Sequence, residues 1–197
     1  MDLTTKNTIF IDESTIKATK NAPLSWQLKV PGLEKRGLVG RYSHPLAVHV
    51  IGGISRRGAT KLIIFNGNMN ARGFAHLADD FLVPFIRRTF PISHTLHMDN
   101  SPVHTSRRIT NYINRNGINH FMTPAESPDI NPIELVWNDL KYFIARTVKP
   151  DTKQQLIDGI LFFWRNAVTV QYCYSKINHI NRVLRVIVNI KGKATGL

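Results

Sequence analysis

Short apolar, β-branched runs open this chain, and apolar stripes at three- and four-residue spacing close it. A chain carrying both periods must bury a sheet against helices. Residues 8–11, 47–55 and 61–65 read as strands, the last two forming a hairpin around a turn at Arg56-Arg57-Gly58. Gly52-Gly53 marks a bulge or a close backbone approach. Residues 14–42 are broken by Pro23, Pro31, Gly32, Gly37 and Gly40 and give no element. Phe74, Leu77, Ala78, Phe81, Leu82, Phe85 and Ile86 then repeat at helical spacing, with Asn70 as cap and Pro84 as kink. A strand at 94–98 follows. Next come a helix with Ile109, Tyr112 and Ile113 inward, stopped by Gly117, and a strand at 118–122 before Pro124. Three helical stripes complete the chain. They run through Ile133, Val136, Trp137, Leu140 and Ile144, through Leu156, Ile157, Ile160 and Trp164, and through Cys173, Ile177, Ile180, Leu184 and Ile187. The expected fold is one mixed α/β domain with an antiparallel beginning and parallel additions, a core over about 1–150 and C-terminal helices over about 151–197.

Charge narrows the partner. The 26 Lys and Arg against 13 Asp and Glu give a formal net charge of +13, which suits a polyanion. The basic residues form pairs rather than one tail: Arg56-Arg57, Arg87-Arg88, Arg107-Arg108, Lys141 with Arg146 and Lys149, and a last group of Arg182, Arg185, Lys191 and Lys193. Pairs spread over folded elements suit a groove along a phosphate backbone, although any single pair is also an ordinary solvated face. Cys173 is the only cysteine, so no intrachain disulfide can form. No apolar run approaches the roughly 20 residues of a membrane span, and residues 1–6 lack the regions of a signal peptide. An intracellular protein is expected, nuclear in a eukaryote.

Three carboxylates carry the chemistry. Asp12 follows the first apolar run, and Asp99 follows the fourth in His97-Met98-Asp99-Asn100-Ser101-Pro102. Thirty-four residues separate Asp99 from Glu134, which lies in Asn131-Pro132-Ile133-Glu134. Each has a structural explanation: an Asx-turn at a strand end for Asp12 and Asp99, and a capping box from Asn131 for Glu134. If the strand of Asp99 lies beside the first strand and the helix that begins at Glu134 packs on that sheet, all three can converge. Two carboxylates ~4 Å apart repel by roughly 4 kcal/mol at an effective dielectric of 20. A converged trio therefore calls for cations, and oxygen ligation favours Mg²⁺ or Mn²⁺ over zinc. His94 and His97, three apart on a strand, make a poor ligand pair. His97 either lines the site or is packed. His104 either contacts substrate or caps a helix.

The segments IFIDES, HMDNSPVHTS and SPDINPIELVWNDLK resemble those of mariner-superfamily (Tc/mariner type) DNA transposases, with weaker likeness in VIGGISRRGATKLIIFNGNMNARGF and at the C-terminal end. The resemblance implies a ribonuclease H-like fold, a mixed five-stranded sheet flanked by helices. It implies that Asp12, Asp99 and Glu134 are the catalytic triad and bind two Mg²⁺ (or Mn²⁺) ions, with Asn100 and His104 in support. Arg56, Arg57, Arg107, Arg108 and Lys141 are the expected DNA contacts. The implied reaction cleaves phosphodiesters at transposon ends and joins the 3′-hydroxyl to target DNA. Both DNAs are expected partners, with a homodimer allowed and no membrane. The paired helix-turn-helix modules that precede such a domain are expected to be absent, since the first triad residue is already Asp12. The alternative is an inactive or domesticated remnant that only binds nucleic acid.

Overall fold

The computed structural model describes residues 5–18, 46–122 and 131–189, with side chains as far as His179. Readings on 19–45, on Pro124 and on 127–130 fall outside these residues, as do the Ile180, Leu184 and Ile187 stripe and the last basic group at the level of side chains.

Six strands make one sheet. They are β1 (Thr8–Lys17), β2 (Ala47–Ser55), β3 (Gly58–Ala59), β4 (Ile63–Phe65), β5 (Thr95–Met98) and β6 (His120–Met122). The order is β3-β2-β1-β5-β6, with β4 also on β2. Strand β3 pairs with Ile54 and Ser55 and β4 with His49 to Ile51, so the two short strands share one lane. The sheet is thus five lanes wide, as expected. Pairing is antiparallel from β1 outward through β2, and parallel from β1 to β5 and β6.

Side chains alternate across the sheet, and helices cover both faces. Phe10, Ile16, Val48, Val50 and Ile54 face α4 (Ile133–Phe143), α5 (Lys153–Asn166) and α6 (Val170–Asn189). Ile9, Ile11, Ile51, Leu96 and Met98 face α1 (Ala71–Phe81), α2 (Val83–Thr89) and α3 (Arg107–Arg115). Asn70 caps α1 by accepting from Gly73 N at 2.9 Å. Pro84, in the first turn of α2, separates two helices where the periodicity read as one kinked helix. Gly117 ends α3 with φ +63°, a conformation glycine adopts without a Cβ clash. Cys173 is fully buried, as its stripe indicated.

One boundary differs from expectation in a way that shapes the site. Asp12 does not end its strand: β1 continues through polar Glu13, Ser14 and Thr15 to Lys17. The backbone of β2 supplies hydrogen-bonding partners all along this stretch, from Ile9 opposite Ser55 to Lys17 opposite Ala47. Only Thr8, Ile9 and Phe10 pair with β5 on the other side. Beyond Phe10, no described strand pairs with that flank of β1.

Gly52-Gly53 proves to be a close approach and not a bulge, since the β1–β2 register is unbroken. A Cβ at Gly52 would stand 3.0 Å from Cη2 and Cζ2 of Trp164 and 3.1 Å from Cδ1 of Leu62. Trp164 cannot back away without losing its hydrogen bond to Thr60 O (2.9 Å) and its stack on Trp137. Gly52→Ala is expected to cost about 1–3 kcal/mol by overpacking. A urea midpoint unchanged from wild type would show that the tryptophan layer yields freely.

Candidate active site

The β1–β5 register, extended by two residues, brings Asp12 level with Asp99. Met98 ends β5, so Asp99 lies just past its strand while Asp12 stays within one. A cleft of ≈ 380 Å³ opens beside this step, lined by Asp12, Glu13, Thr15, His49, Asp99 and His104 among others.

Asp12 points to the α4 face. Its Oδ2 accepts from Trp137 Nε1 at 3.0 Å. Trp137 is itself fully buried, its ring stacked on Trp164 at 5.5 Å. A buried indole N–H needs an acceptor, and here a carboxylate supplies it. Burial and the charges of Glu134 and Asp99 push the Asp12 carboxyl up to about 7. The N–H groups of Glu13 and Trp137 pull the other way.

Glu134 sits in the first turn of α4, half-buried. The capping box expected of Asn131 and Glu134 does not form. Asn131 Oδ1 accepts instead from Ile133 N at 3.4 Å, and its amide donates to Ile11 O at 3.5 Å. Asn131 thereby ties the start of α4 to the residue before Asp12. A single buried asparagine serves two elements, so it is not spare for a reciprocal cap.

Asp99 does make the expected Asx-turn, its Oδ1 accepting from Ser101 N at 3.3 Å. The same oxygen accepts from His104 Nδ1 at 2.5 Å. That hydrogen bond, foremost, holds the Asp99 carboxyl below the usual carboxylate range. His104 is buried, edge-on to Phe74 at 4.7 Å, and does not cap α3, which Ser106 does. Its Nε2 faces Glu13 Oε1 at 3.8 Å. Glu13 follows Asp12 on the strand and so points to the opposite face. The site is therefore split: Asp12 and Trp137 on the α4 side, and Glu13, His104 and the bonded oxygen of Asp99 on the α1–α3 side.

Among the described residues, no three His, Cys, Asp or Glu side chains stand close enough together to hold a metal ion as they are. The donor chemistry nevertheless suits a hard divalent cation. Asp12 titrates high first because it is shielded from water and then because Glu134 and Asp99 add negative charge beside it, and a cation relieves that charge. The bonds from His104 Nδ1 and Ser101 N both fall on Oδ1 of Asp99, on one side of the carboxylate.

The other expected site residues divide. Asn100 is exposed and does not line the cleft. His97 is packed between the rings of Phe10 (5.0 Å) and Phe121 (5.8 Å), and burial lowers its pKa to about 4. Arg56 donates to Asn178 Oδ1 at 2.7 Å and lies over Tyr174, which docks α6 on the hairpin turn. Arg57 donates to Thr89 O and Asn7 Oδ1 and covers Phe90. Arg107, Arg108 and Lys141 are exposed. The readings from sequence missed three residues that build the site. Trp137 looked like one more stripe residue, Asn131 like a cap, and Glu13 like a neighbour of Asp12. Only the polar edge of the tryptophan gave a signal, because a buried indole always raises the question of its acceptor.

Residues 7–157, which include all three carboxylates, match the family model described as DDE superfamily endonuclease. The transposable element Tcb1 transposase of Caenorhabditis briggsae is 25% identical over 138 residues, covering 70% of this chain and 49% of that protein. The Tc3 transposase of Caenorhabditis elegans is 27% identical over 120 residues, covering 60% of this chain and 36% of that protein. This chain thus spans about half the length, or less, of the curated relatives it matches. The Mos1 transposase in its paired-end complex with the left transposon end superposes with a TM-score of 0.80 at 15% identity, covering 98% of this chain and 58% of that one. The Mos1 catalytic domain solved with Raltegravir and Mg gives 0.75 at 13% identity, covering 98% and 87%. The fold is the ribonuclease H-like one of those catalytic domains.

Proposed function

Starting from a chain that belongs to the DDE superfamily of endonucleases, we propose that it is the catalytic part of a DNA transposase. It cleaves phosphodiesters at transposon ends and joins the freed 3′-hydroxyl to target DNA. Asp12, Asp99 and Glu134 hold two Mg²⁺ or Mn²⁺ ions. The observation that carries this reading is the half-buried Asp12 carboxyl, set beside two further acids and pushed up to about 7. A protein that only bound DNA would have no use for such a cost under a basic surface. Relatives named as transposases and Mos1 complexes with transposon ends, Mg or Mn agree with it.

When bound, such ions polarise the phosphodiester, activate the attacking oxygen and stabilise the leaving one. The residues of the chain do the rest. Trp137 and the Glu13 N–H favour the ionised form of Asp12. His104 and Ser101 fix Asp99 by one oxygen. Asn131 sets the first turn of α4, and with it Glu134, against β1 at Ile11, the residue before Asp12. Arg107, Arg108 and Lys141, all exposed, neutralise backbone phosphates. Arg56 and Arg57 remain expected contacts only through donors not already used inside the fold. A second copy of the chain, on a second DNA end, is part of the same proposal.

The test is nicking of supercoiled plasmid at low salt. The wild-type chain is expected to relax it with Mg²⁺ or Mn²⁺ and not with EDTA. Glu134→Gln should bind DNA as well as wild type and leave the plasmid intact. A folded, DNA-bound wild type that never nicks with either ion would sink the enzymatic reading in favour of a binding remnant.

A further inference from the structure

His104 stands between two carboxylates, and only one of them has been given a role above. Its Nδ1 donates to Asp99, so that nitrogen carries a proton and the ring is oriented by the bond. Its Nε2 is buried, makes no hydrogen bond among the described residues, and faces Glu13 Oε1 at 3.8 Å. The His104 side chain is 5% exposed and that of Glu13 29%. Glu13 is thus a largely covered acid one residue from Asp12, and the partner it faces is an imidazole already committed to Asp99. Electrostatics alone disfavours a further carboxylate here, because it adds negative charge beside Asp12 and Asp99. What it can do is hold the ring. A histidine gripped at one nitrogen can still swing about that bond. A carboxylate facing the other nitrogen restrains that swing when Nε2 also carries a proton, as carboxylate–histidine pairs do behind metal ligands.

We propose that Glu13 is a positioning residue: through His104 it fixes the Asp99 carboxylate so that Oδ2 is presented to a divalent cation in the cleft. The geometry fits the order of the chain. Successive residues of β1 point to opposite faces, so one strand delivers Asp12 to the cation and Glu13 to the support of Asp99. Phe74, edge-on to the His104 ring, closes the remaining side. This inference rests on the reading that Asp99 binds a cation.

The experiment measures Mn²⁺ affinity of the whole chain without DNA, by calorimetry and by the loss of the free-ion electron paramagnetic resonance signal. Outer partners of metal ligands typically contribute about 10–100-fold in affinity. Glu13→Ala is expected to weaken Mn²⁺ binding by about 10-fold. Glu13→Gln, whose amide can donate to a bare Nε2 or accept from a protonated one, should lose less. In a His104→Asn background the Glu13→Ala change should have almost no further effect, because the path to Asp99 is already cut. Equal losses from Glu13→Ala in both backgrounds would overturn the proposal, since Glu13 would then act on the cation directly. No loss from Glu13→Ala would overturn it as well. If His104→Asn does not fold, the Gln and Ala variants of Glu13 still decide: identical affinities for the two sink the idea. A wild type that binds no Mn²⁺ would refute the metal site itself, a failure distinct from an unaffected Glu13 variant of a protein that does bind.

Discussion

Asp12→Asn is expected to make the metal-free protein more stable and, at the same time, inactive. The stability arm follows from the direction of the shift. The Asp12 carboxyl titrates near 7 in the fold, against 3.8 for an unperturbed aspartate. A raised acid contributes stability below the unfolded value and loses it as pH rises through the folded one. Between pH 4 and 7 the wild type should therefore lose stability at this position, and the amide should not. At pH 8, in EDTA, the gain is on the order of 2–4 kcal/mol, a shift in melting temperature of about 5 °C or more in a domain this size. At pH 4 the two proteins should melt nearly together. The activity arm runs the other way. An amide is a weaker ligand for a hard cation, and loss of several kcal/mol of charge stabilisation lowers cleavage about a thousand-fold or more. Thermal melts across pH and plasmid nicking check both arms on one preparation. A variant less stable than wild type at pH 8 would show that Asp12 is not held among uncompensated acids. A variant that still nicks would remove it from the catalytic set.

The second large effect is expected at Trp137. Trp137→Ala removes the largest fully buried side chain of the α4 stripe, its stack on Trp164 and the N–H donor to Asp12. Large-to-small changes of this kind cost about 3–5 kcal/mol, a large part of the 5–15 kcal/mol typical of a domain. Urea denaturation should show it. Trp137→Phe separates packing from polarity: the ring remains, the N–H does not. It should cost less stability and move the Asp12 titration above about 7, readable by carbon NMR of the aspartate carboxyls. An unmoved Asp12 in Trp137→Phe would mean that the indole supports the core alone.

These two residues also mark the limit of what the sequence makes legible. The Trp137 stripe was readable because helical spacing is local: Ile133, Val136, Trp137 and Leu140 all lie within two turns and all are buried. The same spacing says nothing about the indole N–H, whose acceptor is 125 residues away. The polar stretch Glu13-Ser14-Thr15 has no strand signature of its own, yet it is strand because β2 pairs with it. Arg56 and Arg57 read as DNA contacts by charge, and only the placement of Asn178, Asn7, Thr89 and two aromatic rings turned their donors inward. Glu134 read as one half of a capping box, but Asn131 Oδ1 accepts from Ile133 N and its amide N–H donates to Ile11 O.

The sequence by itself determined the class of the fold, the helix ends at Asn70 and Gly117 and the family, and it singled out the three acids as candidates, because periodicity, turn chemistry and motif spacing are properties of short segments. Only the tertiary structure decided which of those acids face which side. Asp12 meets Trp137, Asp99 turns to His104, and Glu13 closes on the same ring, because a carboxylate's partner is set by strands and helices that meet across the whole chain.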